Sequence, residues 1–241
     1  MPTAPPVPPL DAGPSPEAMD RVARAALELV EDGMLLGLGT GRAAEAFIRQ
    51  LGERVADGLR VRAVTTSERS EQLAGSLGIP LGSLGEIERL DLDFDGADEV
   101  TPELDLTKGR GGALVRERVV AHAAGRFVVL VTPDKLVPRL GARSPIPIVV
   151  VPFSGRLVAR ELTALGGEPI ERLTPSGQSY RTDDGGLILD TRFAPIAAPV
   201  ELERAIRAIP GVIDTGLFLR MAWRVLVGGP ERVETLSRPK S

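Results

Sequence analysis

Residues 91–124 place a strand, a glycine-rich turn and a helix in immediate succession, and this order constrains the fold more than any other part of the chain. Lys108 opens the turn KGRGG, and a helix is predicted after it over residues 112–124. Glycines let the backbone approach a ligand closely, and the start of a helix offers unpaired N–H groups to an anion. The turn therefore indicates an anion-binding loop, although an ordinary glycine-containing turn has the same pattern.

Three aspartates occupy every second position of the sequence LDLDFD at residues 90–95, and the alternating residues are apolar. The spacing imitates the start of an EF-hand calcium loop, but that loop needs a glutamate at its twelfth position, which here is Pro102. The two-residue period instead predicts a β-strand. Asp95, Asp98 and Glu99 then fall at the carboxyl end of a strand, where open α/β sheets bind their ligands.

Glu117 lies on an apolar face of the predicted helix. Helical residues three and four positions apart share a face, and for Glu117 these residues are all apolar: Ala113, Leu114, Val120 and Ala121. A solvated surface glutamate is the commoner alternative, but the apolar surroundings argue against it. A carboxylate held against apolar surface has a raised pKa, which suits a base that exchanges protons near neutral pH.

The composition leaves carboxylates and lysines to carry any acid–base chemistry. The chain of 241 residues has no cysteine and only one histidine, His122, which excludes disulfides and thiolate catalysis and leaves little for a zinc site or a catalytic triad. We interpret His122 as a helix-surface residue without a catalytic role. Lys and Arg number 29 against 33 Asp and Glu, and the absence of a basic tract argues against a nucleic-acid partner.

Residues 1–16 are rich in proline and lack the basic and apolar regions of a signal peptide, so they are predicted to form a disordered tail. No apolar run in the sequence reaches the length of a membrane span. We therefore expect a cytoplasmic protein with no membrane partner.

Strands and helices alternate through about residue 132, which predicts a doubly wound, mostly parallel, Rossmann-like α/β sheet. A short strand is expected at 79–81. The later segment has the order βαββαβ, which predicts an inserted smaller α+β ferredoxin-like unit. The expected division is a Rossmann-like catalytic domain over 17–137 and 218–241, and a small domain over 138–217.

The turn after the first strand of this sheet carries three glycines in the sequence GLGTG at 37–41. Their spacing is GxGxG, whereas dinucleotide-binding folds have GxGxxG. A strand, a glycine turn and a helix still form the arrangement that cradles a phosphate. The pattern is therefore a poor fingerprint for a dinucleotide cofactor but suits a phosphate-bearing ligand.

The motifs DGADE at 95–99 and KGRGGALVRE at 108–117 resemble the active-site core of A-type ribose-5-phosphate isomerases, and the resemblance covers nearly everything after the tail. It implies an enzyme that interconverts ribose 5-phosphate and ribulose 5-phosphate, with no cofactor and no metal. It also implies that the partner is a small-molecule sugar phosphate, and that the protein forms a homodimer or homotetramer.

The resemblance assigns the candidate site residues. Glu117 would be the proton-transfer base, and Asp95, Asp98 and Lys108 would complete the catalytic group. Substrate would contact the following residues: Thr40, Gly41, Arg42 and Ala43; Asp95, Gly96, Ala97 and Asp98; Lys108, Gly109, Arg110 and Gly111; and Lys135. The family usually has Ser-Thr where this chain has Arg42-Ala43. Arg42 is predicted to replace those hydroxyls as a phosphate donor; alternatively it points to solvent and backbone N–H groups alone hold the phosphate.

The implied reaction moves a proton between two adjacent carbons through an enediolate. Glu117 would carry the proton, Lys108 would stabilise the charged oxygen, and Asp95 and Asp98 would hold sugar hydroxyls. Two alternatives from the same superfamily stay open at this point: a sensor domain that binds a sugar phosphate without turnover, and an amino-sugar-phosphate deaminase. A dinucleotide-dependent oxidoreductase is disfavoured by the glycine spacing.

Overall fold

The computed structural model describes residues 15–238 as an α/β protein. Its strands are β1 (Leu35–Leu38), β2 (Arg62–Thr65), β3 (Leu90–Asp95), β4 (Glu99–Val100), β5 (Leu106–Thr107), β6 (Ala124–Val131), β7 (Ile146–Val150), β8 (Glu168–Glu171), β9 (Leu187–Arg192), β10 (Val212–Thr215), β11 (Leu217–Phe218), β12 (Ala222–Gly228) and β13 (Val233–Ser237). Its α-helices are α1 (Pro16–Leu27), α2 (Arg42–Ala56), α3 (Glu68–Ser76), α4 (Leu114–Ala123), α5 (Gly155–Ala164) and α6 (Pro199–Arg207).

A six-stranded sheet forms the centre of the fold. Its strands lie in the order β13-β12-β6-β3-β1-β2, and all neighbours run parallel except the edge pair β12 and β13. Helices α1 and α2 pack over one face, where Phe47 of α2 stacks on Phe94 of β3 at 4.2 Å between ring centroids. Helix α4 packs against β3 and β6 on the opposite face. The predicted doubly wound, mostly parallel sheet is therefore confirmed.

The carboxyl ends of β1 and β3 mark the point where the winding of the sheet reverses. The chain runs from β1 outward to β2 on one side, and then returns to β3 on the other side. A reversal of this kind leaves a crevice above the two strand ends, which is where ligands bind in such sheets. Because Leu38 pairs with Phe94, the next residues, Gly39 and Asp95, lie side by side at this crevice.

A four-stranded antiparallel sheet follows in the order β10-β7-β9-β8. Strand β9 lies between β7 and β8, which α5 connects, and this is the split βαβ arrangement of the ferredoxin-like fold. The fold class predicted for the inserted unit is therefore confirmed. A small three-stranded sheet, β11-β5-β4, accompanies it. The domain boundaries at 17–137 with 218–241 and at 138–217 remain a prediction.

Several predicted elements differ from the observed ones. Residues 79–81 do not form a strand, because only Leu81 bridges to the sheet, opposite Ala63. Helix α2, whose predicted end near Leu51 the sequence LG suggests, continues to Ala56; Gly52 packs directly against Leu77 within it, where a larger residue would collide. Strand β13 was not predicted, since its mostly exposed sequence VETLS has no buried stripe.

The predicted tail overlaps the described residues only at its end. Ser15 caps α1 by accepting a hydrogen bond from the backbone N–H of Ala18, and Pro16 is the first residue of that helix. The rest of the predicted tail, residues 1–14, lies outside the described residues. Within 15–238, no helix is long and apolar enough to cross a membrane.

We expect Gly39→Ala to destabilise the protein, because an added Cβ would overlap the carboxylate of Asp95. Overpacking of this kind costs about 1–3 kcal/mol in the free energy of unfolding. Gly75→Ala in α3 is the matched control, because its Cβ would meet open space, and this change should leave stability unchanged or raise it by up to about 1 kcal/mol. Denaturant titration of both variants measures the difference, and equal stabilities would contradict the close packing of Gly39 on Asp95.

Candidate active site

A cavity of about 250 Å³ opens at the carboxyl ends of β1, β3 and β6. Its wall includes nearly all residues predicted to contact substrate: Thr40, Gly41, Arg42, Ala43, Gly96, Ala97, Asp98, Lys108, Gly109, Arg110, Gly111 and Lys135. Glu117 also lines the cavity, whereas Asp95 lies behind the wall and is fully buried. The structure thus brings four separate loops and the first turn of α4 together around one space.

Four further residues line the cavity without having been predicted: Met19, Leu130, Val131 and Thr132. The last three form the end of β6 and the residue after it, and the carboxyl end of a buried parallel strand is a signal that could have found them. Met19 comes from α1, and nothing in its sequence neighbourhood indicates that this helix reaches the site.

Lys108 is the centre of the site. Its side chain is 3% exposed, and its ammonium nitrogen lies 2.9 Å from Asp95 Oδ2 and 3.3 Å from Glu117 Oε2. It also donates a hydrogen bond to the carbonyl of Gly96 at 2.6 Å. Burial opposes the charge on Lys108, but the carboxylates of Asp95 and Glu117 outweigh this effect and raise its pKa. Lys108 is therefore a buried cation that two carboxyl groups share.

Glu117 occupies the first turn of α4 and is almost completely buried. The four apolar residues that share its helical face are buried with it, as the sequence pattern predicts: Ala113, Leu114, Val120 and Ala121. Burial raises the pKa of Glu117 from its ordinary value of 4.5 to about 8, although the charge of Lys108 works in the opposite direction. A carboxyl with this pKa can both accept and return a proton near neutral pH.

Asp95 is held in place from several sides. Its Oδ1 accepts the backbone N–H groups of Thr40 at 3.0 Å and Gly96 at 2.7 Å, while Oδ2 faces Lys108. Burial raises the pKa of Asp95, and Lys108 and these N–H groups act against that rise. Asp95 therefore does not line the cavity itself. It acts on the cavity through its ion pair with Lys108, whose side chain does line it.

A further carboxyl, Asp93, lies beside this group and was not predicted to belong to it. Asp93 is fully buried, and neither of its carboxyl oxygens has a hydrogen-bond partner among residues 15–238. Burial, and then the charge of Asp95, raise its pKa well above the usual range. An added Cβ on Gly37 would overlap the Asp93 carboxyl, just as one on Gly39 would overlap Asp95. Gly37 in β1 and Gly39 just after it therefore make room for carboxyl groups.

Asp98 and Glu99, which are adjacent in sequence, have different surroundings. Asp98 lines the cavity, and its Oδ2 accepts the backbone N–H of Arg110 at 3.0 Å. Glu99 points away from the cavity and is buried. Its carboxylate accepts N–H groups from a single loop, at Gly141, Arg143 and Ser144. Asp98 is thus available to a ligand, whereas Glu99 stabilises a loop.

The turn after β1 presents backbone N–H groups to the cavity. The Thr40 N–H is occupied by Asp95, and the Thr40 hydroxyl donates to Ser67 Oγ at 2.7 Å. Gly41 has φ = 106°, a conformation that favours glycine, and it provides no side-chain cap for α2. The first N–H groups of this 15-residue helix therefore remain open to an anion.

Besides Lys108, three cationic side chains line the cavity: Arg42, Arg110 and Lys135. Arg42 and Arg110 are exposed, and within 15–238 neither forms an ion pair with a carboxylate. Lys135 lies 3.7 Å from the carboxylate of Asp134.

His122 is an exposed residue of α4 that does not line the cavity. Over the same described range, no three acidic, histidine or cysteine side chains converge in an arrangement suited to a metal ion.

The raised pKa of Glu117 predicts how stability depends on pH. Its folded-state pKa is about 8 against an ordinary 4.5, so the folded protein holds a proton that the unfolded chain releases. The stability that this group contributes is fully present below pH 4.5 and is lost as the pH rises through 8. Relative to Glu117→Gln, the wild type should therefore lose about 1 kcal/mol or more between pH 5 and 8. Denaturant titrations at both pH values test this, and a difference that does not change with pH would contradict the burial of a titrating carboxyl.

Comparison with known proteins identifies the family. The chain matches the family model for ribose 5-phosphate isomerase A (phosphoriboisomerase A) over residues 62–232. The ribose-5-phosphate isomerase A of Thermomicrobium roseum is 51% identical over 93% of this chain and 95% of its own length. The solved ribose 5-phosphate isomerase A of Methanocaldococcus jannaschii is 42% identical with a TM-score of 0.88, and the match covers 92% of this chain and 98% of that one.

A second solved structure, a D-ribose-5-phosphate isomerase in complex with phospho-erythronic acid, has a TM-score of 0.90 at 38% identity, with coverage of 92% of this chain and 98% of that one. These matches extend over both sheets, and they do not favour the sensor or deaminase alternatives. The chain belongs to the ribose 5-phosphate isomerase A family.

Proposed function

We infer that this chain is an isomerase that interconverts ribose 5-phosphate and ribulose 5-phosphate through an enediolate. The observation that carries this inference is the pair formed by Glu117 and Lys108 in the cavity wall. The pair combines a carboxyl with a pKa of about 8 and a cation 3.3 Å away. The family membership of the chain supports the choice of substrate.

In the proposed reaction, the Glu117 carboxylate removes the proton from C2 of the open-chain aldose, and the electrons of that C–H bond form the enediolate. Glu117 then returns the proton to C1, while a hydroxyl proton moves from O2 to O1, so that the ketose has the same atoms as the aldose. The positive charge of Lys108 stabilises the negative oxygen of the intermediate. No oxidant, reductant or added group is consumed.

Two aspartates have different parts in this proposal. Asp98 lines the cavity with a carboxylate oriented by the Arg110 N–H, and so we assign it to sugar hydroxyls, where it can pass the hydroxyl proton. Asp95 is fully buried and 2.9 Å from the Lys108 ammonium, so its part is to keep that ammonium charged and aimed at the site. The prediction that Asp95 also holds a sugar hydroxyl would need this fully buried carboxylate, which does not line the cavity, to become accessible to the substrate.

The phosphate of the substrate is assigned to the start of α2. The open N–H groups there and the guanidinium of Arg42, which has no carboxylate partner within 15–238, form an anion site, and Lys135 adds a second cation to the cavity wall. Anchoring the phosphate at one end of the cavity places the carbons at the other end beside Glu117. Two expectations remain proposals. The cytoplasmic location rests on the sequence features of residues 1–16 and on the lack of a membrane-length apolar run in the sequence. The homodimer or homotetramer rests on the family resemblance, and light scattering during gel filtration tests it.

Glu117→Gln should abolish most of the turnover while leaving the fold intact. The amide has the same shape but cannot accept the carbon-bound proton, so kcat should fall by about 10²-fold or more. Spectroscopic detection of ketopentose formed from ribose 5-phosphate, with EDTA present and no nicotinamide, measures this loss. Binding of phospho-erythronic acid should change by only a few-fold, and Glu103→Gln, an exposed control, should behave as wild type. Near-normal turnover by Glu117→Gln would refute Glu117 as the base.

Arg42→Ala should raise KM for ribose 5-phosphate with little change in kcat, because the phosphate contact is made equally in the ground state and the transition state. Loss of a charge-assisted contact of this kind corresponds to roughly a 10-fold effect or more. Arg49→Ala is the matched control, since Arg49 is an exposed residue of the same helix that does not line the cavity. An unchanged KM in Arg42→Ala would show that backbone N–H groups alone hold the phosphate.

A further inference from the structure

Arg172, which follows β8 in the inserted unit, contacts the glycine loop of the active site, residues 108–112. Its Nη1 donates hydrogen bonds to the carbonyls of Gly109 and Arg110, both at 3.0 Å. Its other two nitrogens bind the carboxylate of Asp190 in a bidentate ion pair, and the side chain is only 15% exposed. A guanidinium that forms a bidentate pair with one carboxylate has a fixed orientation. Its remaining N–H groups can therefore position the carbonyls that they bind.

Tyr180 extends the same contact by one residue. Its hydroxyl donates to the carbonyl of Gly111 at 3.3 Å, and its ring lies so close to Gly112 that a Cβ there would collide with it. The guanidinium of Arg172 lies 5.7 Å from the centre of the Tyr180 ring. Three consecutive carbonyls of the glycine loop, at residues 109–111, are therefore each bound by a side chain from the inserted unit.

The glycine loop needs an external support of this kind. Gly109 and Gly112 have φ values of 102° and 87°, and glycines lose more conformational freedom on folding than other residues. The loop nevertheless has to hold Lys108 at one end and lead into the helix of Glu117 at the other. Contacts to its carbonyls restrict its conformations without occupying the side that faces the cavity.

The carbonyls determine where the N–H groups of the loop point. In a trans peptide the N–H and the carbonyl lie on opposite sides of the unit. The peptide whose Gly109 carbonyl binds Arg172 directs the Arg110 N–H to Asp98 at 3.0 Å. The next peptide has the Arg110 carbonyl, which also binds Arg172, and the N–H of Gly111. Gly111 lines the cavity, and its N–H donates to no acceptor in the described part of the chain.

We propose that Arg172, held by Asp190, is a positioning residue for the isomerase reaction. It orients the peptide units of the glycine loop so that Asp98 is fixed and the Gly111 N–H is aimed at an oxygen of the reacting sugar. Arg172 itself does not touch the substrate. The proposal rests on the isomerase function inferred above, and it assigns to the inserted unit a direct part in ordering the catalytic loop.

The test compares Arg172→Lys and Arg172→Met with Arg181→Lys. Arg181 belongs to the same segment but is exposed and hydrogen-bonds to the carbonyl of Gly185, so it is the matched control. Lysine keeps the charge beside Asp190, but a single ammonium cannot form the bidentate pair and bind two carbonyls together. For each variant, kcat and KM for ribose 5-phosphate, the thermal midpoint, and the amide hydrogen exchange of residues 109–112 are measured.

We expect both Arg172 variants to lose about 10- to 100-fold in kcat, because a small misplacement of reacting groups has effects of this size. Amide exchange of 109–112 should become faster, and Arg181→Lys should match the wild type in both measurements. If Arg172→Met does not fold, Arg172→Lys decides the question alone. Wild-type kcat and exchange in Arg172→Lys would overturn the proposal, as would a lower thermal midpoint with unchanged kcat. Failure of the wild type to convert ribose 5-phosphate would instead refute the proposed function.

Discussion

The structure depends on one buried ammonium group, that of Lys108, and on the two carboxyl groups that share it. A lysine buried alone would lose its charge, and Asp95 and Glu117 buried alone would both be protonated. Together they keep a positive charge 2.9 Å from Asp95 and 3.3 Å from Glu117 inside the protein. The same arrangement leaves Glu117 with a pKa of about 8, since burial raises it further than Lys108 lowers it. Acid–base function therefore arises from a balance between desolvation and one ion pair.

The rest of the site maintains this group. Gly37 in β1 and Gly39 just after it leave room for the carboxyls of Asp93 and Asp95, and the proposed phosphate site at the start of α2 follows directly. Reversal of the winding between β1 and β3 places that turn beside the aspartate strand. On the far side, the inserted ferredoxin-like unit contacts the loop that follows Lys108. The two sheets thus meet beside the residues proposed to be catalytic, and contacts from both sides hold these residues in position.

Much of this could be predicted from sequence because the relevant signals are local. The apolar neighbours of Glu117 are three and four positions away, and Lys108 and Asp98 belong to short motifs at the ends of strands. The remaining features depend on contacts between distant segments. Asp190 and Arg172 are far from the glycine loop in sequence, and Met19 enters the cavity from a helix with no ligand-binding pattern. Asp95 is completely buried among Gly39, Thr40, Gly96 and Lys108, which come from three separate segments, and no periodicity in the sequence encodes these contacts.

The most direct test of this account is a ¹³C NMR titration of the Glu117 carboxyl in protein labelled at glutamate carboxyl carbons. The resonance is assigned by its disappearance in the Glu117→Gln variant. We expect a titration midpoint near 8, well above the ordinary 4.5. A midpoint close to 4.5 would mean that the carboxyl is solvated, and it would contradict the assignment of Glu117 as a buried proton carrier.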